Sequence, residues 1–157
     1  FFIFLFLFSL LKIDYYNPIV SFCVKIYKPI SRILFLFPNQ TINILVLAII
    51  LKLASLYIYV GYQHEILNLI GMAIILTLLT GIRIIFYAVF GGVILSWVSP
   101  QNSNPALQLV EEVSNKTLSP IQKYIPSAGG LDFSPIFIFM LVKLLESFLS
   151  DIYWAIQ

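Results

Sequence analysis

Residues Ile66 to Val98 read ILNLIGMAIILTLLTGIRIIFYAVFGGVILSWV, an apolar run interrupted by a single charge, Arg83, and by Gly81 just before it. Whether this run is one element or two decides the architecture. As one α-helix it extends about 50 Å, more than the roughly 30 Å hydrocarbon core of a bilayer, so it must tilt or project from the membrane. A break at Thr80-Gly81-Ile82-Arg83 would instead give a hairpin and an inverted repeat of the kind common in transporters. So tight an interval leaves too few residues to turn in hydrocarbon, which favours one long helix.

Three more apolar blocks flank it: Phe1 to Ile13, Thr41 to about Tyr59, and Phe133 to Ile156. Crossing a bilayer takes roughly 20 residues. The first block is short, but no basic n-region or small-residue cleavage site precedes Lys12, so it reads as the visible end of a spanning helix rather than a signal peptide. Composition agrees with the bilayer: 61% of residues are hydrophobic and 10% charged, with mean hydropathy +0.99. A soluble core of this size cannot absorb that much apolar surface. The fold class expected is therefore an all-α membrane protein of about four transmembrane helices.

The two halves are degraded copies of each other. Pro29-Ile30 reappears as Pro120-Ile121, and Leu51-Lys52-Leu53 as Val142-Lys143-Leu144, at one constant offset; Asn17-Pro18 precedes the first copy and Asn104-Pro105 the second. The organisation expected is two tandem repeats, residues 1–60 and 61–157, each a span, an interfacial amphipathic helix and a further span.

The first amphipathic segment, 17–37, carries Ile19, Phe22, Cys23, Ile26, Ile30, Ile33 and Phe37 at helical spacing, with Lys25, Lys28 and Arg32 on another face. Asn17 suits the N-cap, Pro18 the first turn, and Pro29 should kink or divide the helix. Such a helix is expected to bury its apolar face in the headgroup boundary and turn its cations toward anionic lipid; the alternative is a helix packed on protein. The second segment, 104–125, sets Leu107, Val110, Val113, Leu118 and Ile121 on one side, with Glu111, Glu112, Asn115 and Lys116 elsewhere. Its acidic pair weakens lipid attraction and suggests a protein partner for that copy.

A span leaving through Ser96-Trp97-Val98, an Asn-Pro pair, an amphipathic stretch, then Pro120-Ile121 and Gly129-Gly130-Leu131-Asp132-Phe133-Ser134-Pro135 opening a last span together resemble the YggT family, as does Asp14-Tyr15-Tyr16-Asn17-Pro18 in the first half. Departures are visible too: Asn39-Gln40-Thr41 stands where the first copy's glycine-rich turn belongs, Gly92 lies where the family has an arginine, and paired arginines are reduced to Arg32 and Lys123. The resemblance implies non-enzymatic work. Relatives in bacteria and plastids are associated with assembly or maturation of membrane complexes, including haem attachment to a photosynthetic cytochrome, with division or nucleoid organisation, and with osmotic tolerance.

In the turn itself, Gly129 and Gly130 permit the backbone to reverse, Asp132 or Ser134 suits the cap of the following helix, and Pro135 fits its first turn. Asp132 invites a reading as ion ligand or catalytic acid, but exposed helix N-terminal amides favour the capping role. With one long third block, both amphipathic segments share a face with Lys12, Lys25, Lys28, Arg32, Lys116 and Lys123, while the linker from Tyr62 to Glu65 has no Lys or Arg. The positive-inside rule then puts the amphipathic helices at the cytoplasm and both termini opposite. The membrane expected is a bacterial inner membrane or an organelle membrane of bacterial origin.

Charges within the blocks are the functional candidates, because ionisable groups deep in a span are costly. These are Lys52 and Lys143 at equivalent positions, Arg83, and Glu146 one turn beyond Lys143. Internal neutralisation, with Arg83 snorkelling to an interface, is one reading; contact with lipid phosphate, an anionic ligand or another protein's carboxylates is the other. No G-x-S-x-G, H-E-x-x-H, paired Cys-x-x-Cys or phosphate loop is present. Cys23 has no cysteine to pair with, and the single His64 excludes a bis-histidine haem or a multi-histidine metal cage. Gly91-Gly92 reads as a close helix contact, and Tyr57, Tyr59, Tyr62, Trp97 and Trp154 as interfacial anchors. No cofactor, metal or nucleic-acid partner is expected; the partners expected are membrane lipids and other integral membrane proteins. The function expected is a non-enzymatic accessory, scaffold or assembly subunit of a larger membrane complex, against a homo-oligomeric transport protein or a lipid-surface organiser.

Overall fold

A computed structural model of the chain describes residues 1–33, 36–61, 64–98, 103–125 and 132–157. Every regular element among them is helical: α1 (Phe2–Leu10), α2 (Pro18–Ile33), α3 (Gln40–Val60), α4 (Ile66–Val98), α5 (Pro105–Gln122) and α6 (Ser134–Ile156). The fold class is all-α.

The long apolar run is one helix of 33 residues, so the hairpin alternative is overturned. Its interior holds no proline, and its threonines bond back into the helix, Thr77 Oγ1 to the Ala73 carbonyl at 2.8 Å and Thr80 Oγ1 to that of Leu76 at 2.7 Å. Those hydroxyls are thereby satisfied without breaking the ladder. Gly81 sits inside it, where an added Cβ would meet only Ile3 in ordinary contact at 3.8 Å. Both α3 and α4 are long and apolar enough to cross a membrane. Helix α6 is 23 residues long but carries Lys143, Glu146 and Asp151. The helix in the first block covers nine residues. After it the backbone turns through Lys12 at φ 53°, and the Ile13 amide donates to the Phe8 carbonyl at 2.9 Å.

Helix α4 is the central element, packed by α5 and α6 and also by α3 and α1. Three buried clusters hold the chain together. One joins Leu5, Tyr27, Ile44 and Leu47. A second joins Val89, Leu118, Ile138 and Val142. Between them Phe8, Ile13 and Val20 meet Val113.

Pro29 does not divide α2, and Pro120 lies likewise inside α5. The helix is described over Pro18–Ile33, and the expected range 17–37 is not reached, since Leu36 and Phe37 are non-helical and Asn39 starts a new helix by accepting from the amides of Thr41 and Ile42 at 2.9 and 3.4 Å. The apolar face of α2 also needs correction. Val20 and Tyr27 are its buried residues, with Cys23, Val24 and Ile30 packed beside them, while Phe22 and Ile26 point outward. The helix thus has three sectors: a protein-facing arc, an exposed apolar arc at Phe22 and Ile26, and the exposed cations Lys25, Lys28 and Arg32. Periodicity marked a broad apolar side but could not tell which part of it meets protein.

Helix α5 turns its apolar side, Val113, Leu118 and Ile121, onto the same chain, and the Glu112 carboxylate accepts from the Asp14 amide at 2.8 Å. That side is therefore not a free docking face. The close contact read at Gly91-Gly92 is present: a Cβ on Gly91 would stand 3.1 Å from Val110 Cγ1, and one on Gly92 would collide with the Ser114 side chain.

Candidate functional site

Three of the four in-block charges, Arg83, Lys143 and Glu146, converge where α4 meets α6. Arg83 Nε lies 2.7 Å from one Glu146 oxygen and Lys143 Nζ 2.8 Å from the other. The lysine pair is intrahelical at i, i+3, whereas the arginine comes from α4. Lys143 Nζ also stands 5.1 Å from the centroid of the Phe86 ring, a cation–π contact. Phe86 and Phe90 stack on α4, and Phe139 of α6 tilts against Phe86 with centroids 5.1 Å apart. The result is an aromatic floor with a charged edge. The Glu146 side chain is 18% exposed, while Arg83 and Lys143 are 57% and 65% exposed. The carboxylate is thus sunk between the helices and the cations reach outward.

Lys52 is not brought to this cluster. It lines a cleft of about 240 Å³ with Phe1, Phe2, Ile3, Ala48, Leu51 and Ser55, and makes no ion pair among the described residues. Lys25, Lys28 and Arg32 remain exposed on α2.

The two asparagines predicted as caps are in place. Asn17 Oδ1 accepts from the Ile19 amide at 2.9 Å, and Asn17 Nδ2 donates to the Pro105 carbonyl at 2.8 Å, tying the two amphipathic helices together at their N-termini. Asn104 accepts from the Ala106 amide at 2.9 Å. Pro18 and Pro105 each open a helix, and Pro135 lies in the first turn of α6. Asp132 Oδ1 accepts from the Ser134 amide at 2.8 Å and Oδ2 from Gln122 Nε2 at 2.8 Å. Partial burial opposes its ionisation, yet the hydrogen bonds from Gln122 and Ser134 together outweigh burial and hold the carboxyl below the usual aspartate range. Asp132 stands one residue before the N-cap, Phe133, which has no side-chain cap bond, and its carboxylate joins the end of α5 to the start of α6. Gly129 and Gly130 lie outside the described residues.

Two polar contacts, one buried and one part-buried, had no counterpart in the sequence reading. Asn43 Nδ2 donates to Tyr27 Oη at 3.3 Å, and Ser9 and Thr41 hydroxyls pair at 2.6 Å. Asn43 in an apolar block was the available signal, since an amide there requires partners. Among the described residues no group of three or more His, Cys, Asp or Glu side chains is placed to hold a metal ion.

Comparison with known proteins gives the lineage of this arrangement. The CCB3/YggT family profile matches residues 71–153, which take in most of the long helix, all of α5 and nearly all of α6. This chain belongs to the CCB3/YggT family. It is 35% identical over 150 residues to an uncharacterised protein of Pseudomonas aeruginosa, covering 90% of this chain and 76% of that protein. It is 32% identical over 146 residues to an uncharacterised protein of Haemophilus influenzae, covering 90% and 78%. The uncharacterised protein YggT of Escherichia coli is 30% identical over 148 residues, covering 90% and 77%. No solved structure matches the chain. In this CCB3/YggT member the profile takes in Arg83, Lys143 and Glu146 but begins after Lys52.

Proposed function

We propose that the chain is an integral membrane protein of bacterial type that acts without catalysis, as an accessory or assembly subunit of a larger membrane complex. The observation that carries this reading is the Arg83–Glu146–Lys143 cluster. It stands near the middle of α4 and α6, and its cations are exposed among outward-facing apolar residues such as Tyr87, Phe90, Met140 and Leu144. Charges at mid-span are expensive against lipid and normally meet protein, water or one another. A protein surface covering this face resolves the cost.

In this reading α1, α3, α4 and α6 belong to four spans in two duplicated units, 1–60 and 61–157, with α2 and α5 lying at the interface. Tyr27 and Leu47 of one buried cluster stand at positions equivalent to Leu118 and Ile138 of the other, which supports the duplication. The three sectors of α2 suit a helix touching protein, acyl chains and headgroups at once. Charge bias favours the cytoplasmic side for both amphipathic helices.

The test is recovery of tagged protein from native membranes in gentle detergent or nanodiscs, followed by mass measurement of the intact assembly. A stoichiometric complex with different proteins is expected, weakened when Lys52 and Lys143 are changed to Leu. A pure homo-oligomer would refute the reading and direct attention to ion flux through the reconstituted protein.

A further inference from the structure

We propose that the α4/α6 face receives a membrane-spanning helix of a different protein, one that carries an unpaired Asp or Glu at mid-membrane depth. The proposal rests on the integral-membrane accessory reading and identifies the chemistry of the partner.

Both oxygens of Glu146 are occupied, one by Arg83 and one by Lys143. Two cations therefore share one anion, and the cluster keeps a formal excess of one positive charge. Arg83 cannot shed its proton to remove that excess. In the four-span reading, neither side chain would reach a headgroup. Glu146 stands near the middle of the 23-residue α6, so roughly 15 Å of helix separates it from either end. That is more than a lysine or arginine stem can cover by snorkelling.

The same α4/α6 face of a second copy does not supply the missing anion. It would bring the same two cations and one carboxylate, and exchanging pairs between copies leaves the excess in place. Asp151 is the next acid on α6, but in a parallel copy at equal depth it lies about 12 Å along the axis from Lys143. Asp14, Glu65, Glu111, Glu112 and Asp132 lie outside α3, α4 and α6.

The surroundings suit a helix. Arg83, Tyr87, Phe90, Ile94 and Trp97 recur along α4 at steps of three and four, all exposed; on α6, Lys143 lies over the Phe86 ring that Phe139 tilts against, and Met140 is exposed three residues before it. That stripe gives an incoming helix its apolar contact. The carboxylate is required at the level of Lys143.

The experiment places a photo-crosslinking amino acid at Met140 of the full chain in its native membrane and identifies the crosslinked peptide by mass spectrometry, in otherwise wild-type protein and in Lys143→Met and Lys143→Arg backgrounds. The expected product is a helix of another protein with a mid-span Asp or Glu. Its yield should fall by on the order of tenfold or more in Lys143→Met, stay near wild type in Lys143→Arg, and recover in Lys143→Met when that acid is changed to Leu. A crosslink to a second copy, to lipid only, or to a helix without a mid-span acid would overturn the proposal, as would an unchanged yield in Lys143→Met. If the intact hetero-complex is recovered but Met140 crosslinks to none of its acidic helices, this assignment fails while the accessory reading stands. If no hetero-complex forms, both fail.

Discussion

Replacing Gly92 with alanine should lower stability by about 2 kcal/mol, although glycine-to-alanine changes inside helices ordinarily help. The gain in helix propensity is about 1 kcal/mol. Against it stands the contact with α5: the new Cβ would overlap both Oγ and Cβ of Ser114. A rotamer change moves the hydroxyl away but leaves Ser114 Cβ where it is, so the helices must separate, at the upper end of the roughly 1–3 kcal/mol range for overpacking. Gly71→Ala is the internal control. Its Cβ would meet only the Ile156 side chain in ordinary contact, Cδ1 at 3.5 Å and Cγ2 at 3.8 Å, and the change should be neutral or stabilising by up to about 1 kcal/mol. Reversible unfolding in mixed micelles, with denaturing detergent raised stepwise and the fluorescence of Trp97 and Trp154 as the probe, reads both variants on one scale. Ser114→Gly in the Gly92→Ala background should restore most of the loss. If Gly92→Ala is as stable as Gly71→Ala, α5 does not dock on α4 through this glycine, and the packing argument is wrong.

The same unfolding assay tests the caps. Asn17→Ala removes a cap and a bond to the Pro105 carbonyl and should cost about 2 kcal/mol, whereas Asn104→Ala removes one cap contact and should cost about 1; equal costs would count against the tie between α2 and α5. Because the Asp132 carboxyl titrates below its unfolded value, its contribution is complete above roughly pH 4 and fades as pH falls through the lowered pKa. The stability difference between wild type and Asp132→Asn should therefore shrink on acidification, and a difference that widens would refute the capping account. Changing Lys25, Lys28 and Arg32 together to Gln should reduce the anionic lipid that co-purifies with the protein, by about 1 kcal/mol of attraction for each cation removed; an unaltered lipid profile would exclude the headgroup role of that arc.

Much of the fold was legible because it is local. Apolar block length gives α3 and α4, the Asn-Pro pairs give the starts of α2 and α5, and the Lys143–Glu146 pair follows from one helical turn. What was not legible depends on which helices meet. Arg83 reaches Glu146 only because α4 and α6 pack side by side, and Tyr27 finds Asn43 only through the packing of the first half. Amphipathicity alone gave α2 one apolar side, yet Val20 and Tyr27 are buried while Phe22 and Ile26 are not. Hydrophobicity does not distinguish a neighbouring helix from an acyl chain, so that division has to be read from the three-dimensional packing.

Pro29 and Pro120 stand inside α2 and α5, both exposed. A proline withholds the amide that would have met the carbonyl four residues earlier, here those of Lys25 and Lys116. An acceptor left open in this way is tolerable in water or among headgroups and costs several kcal/mol in hydrocarbon. In the proposed interfacial arrangement each proline would work as a waterline: α2 and α5 could sink only until that carbonyl left the hydrated layer, which would set the depth of the whole helix bundle in the membrane.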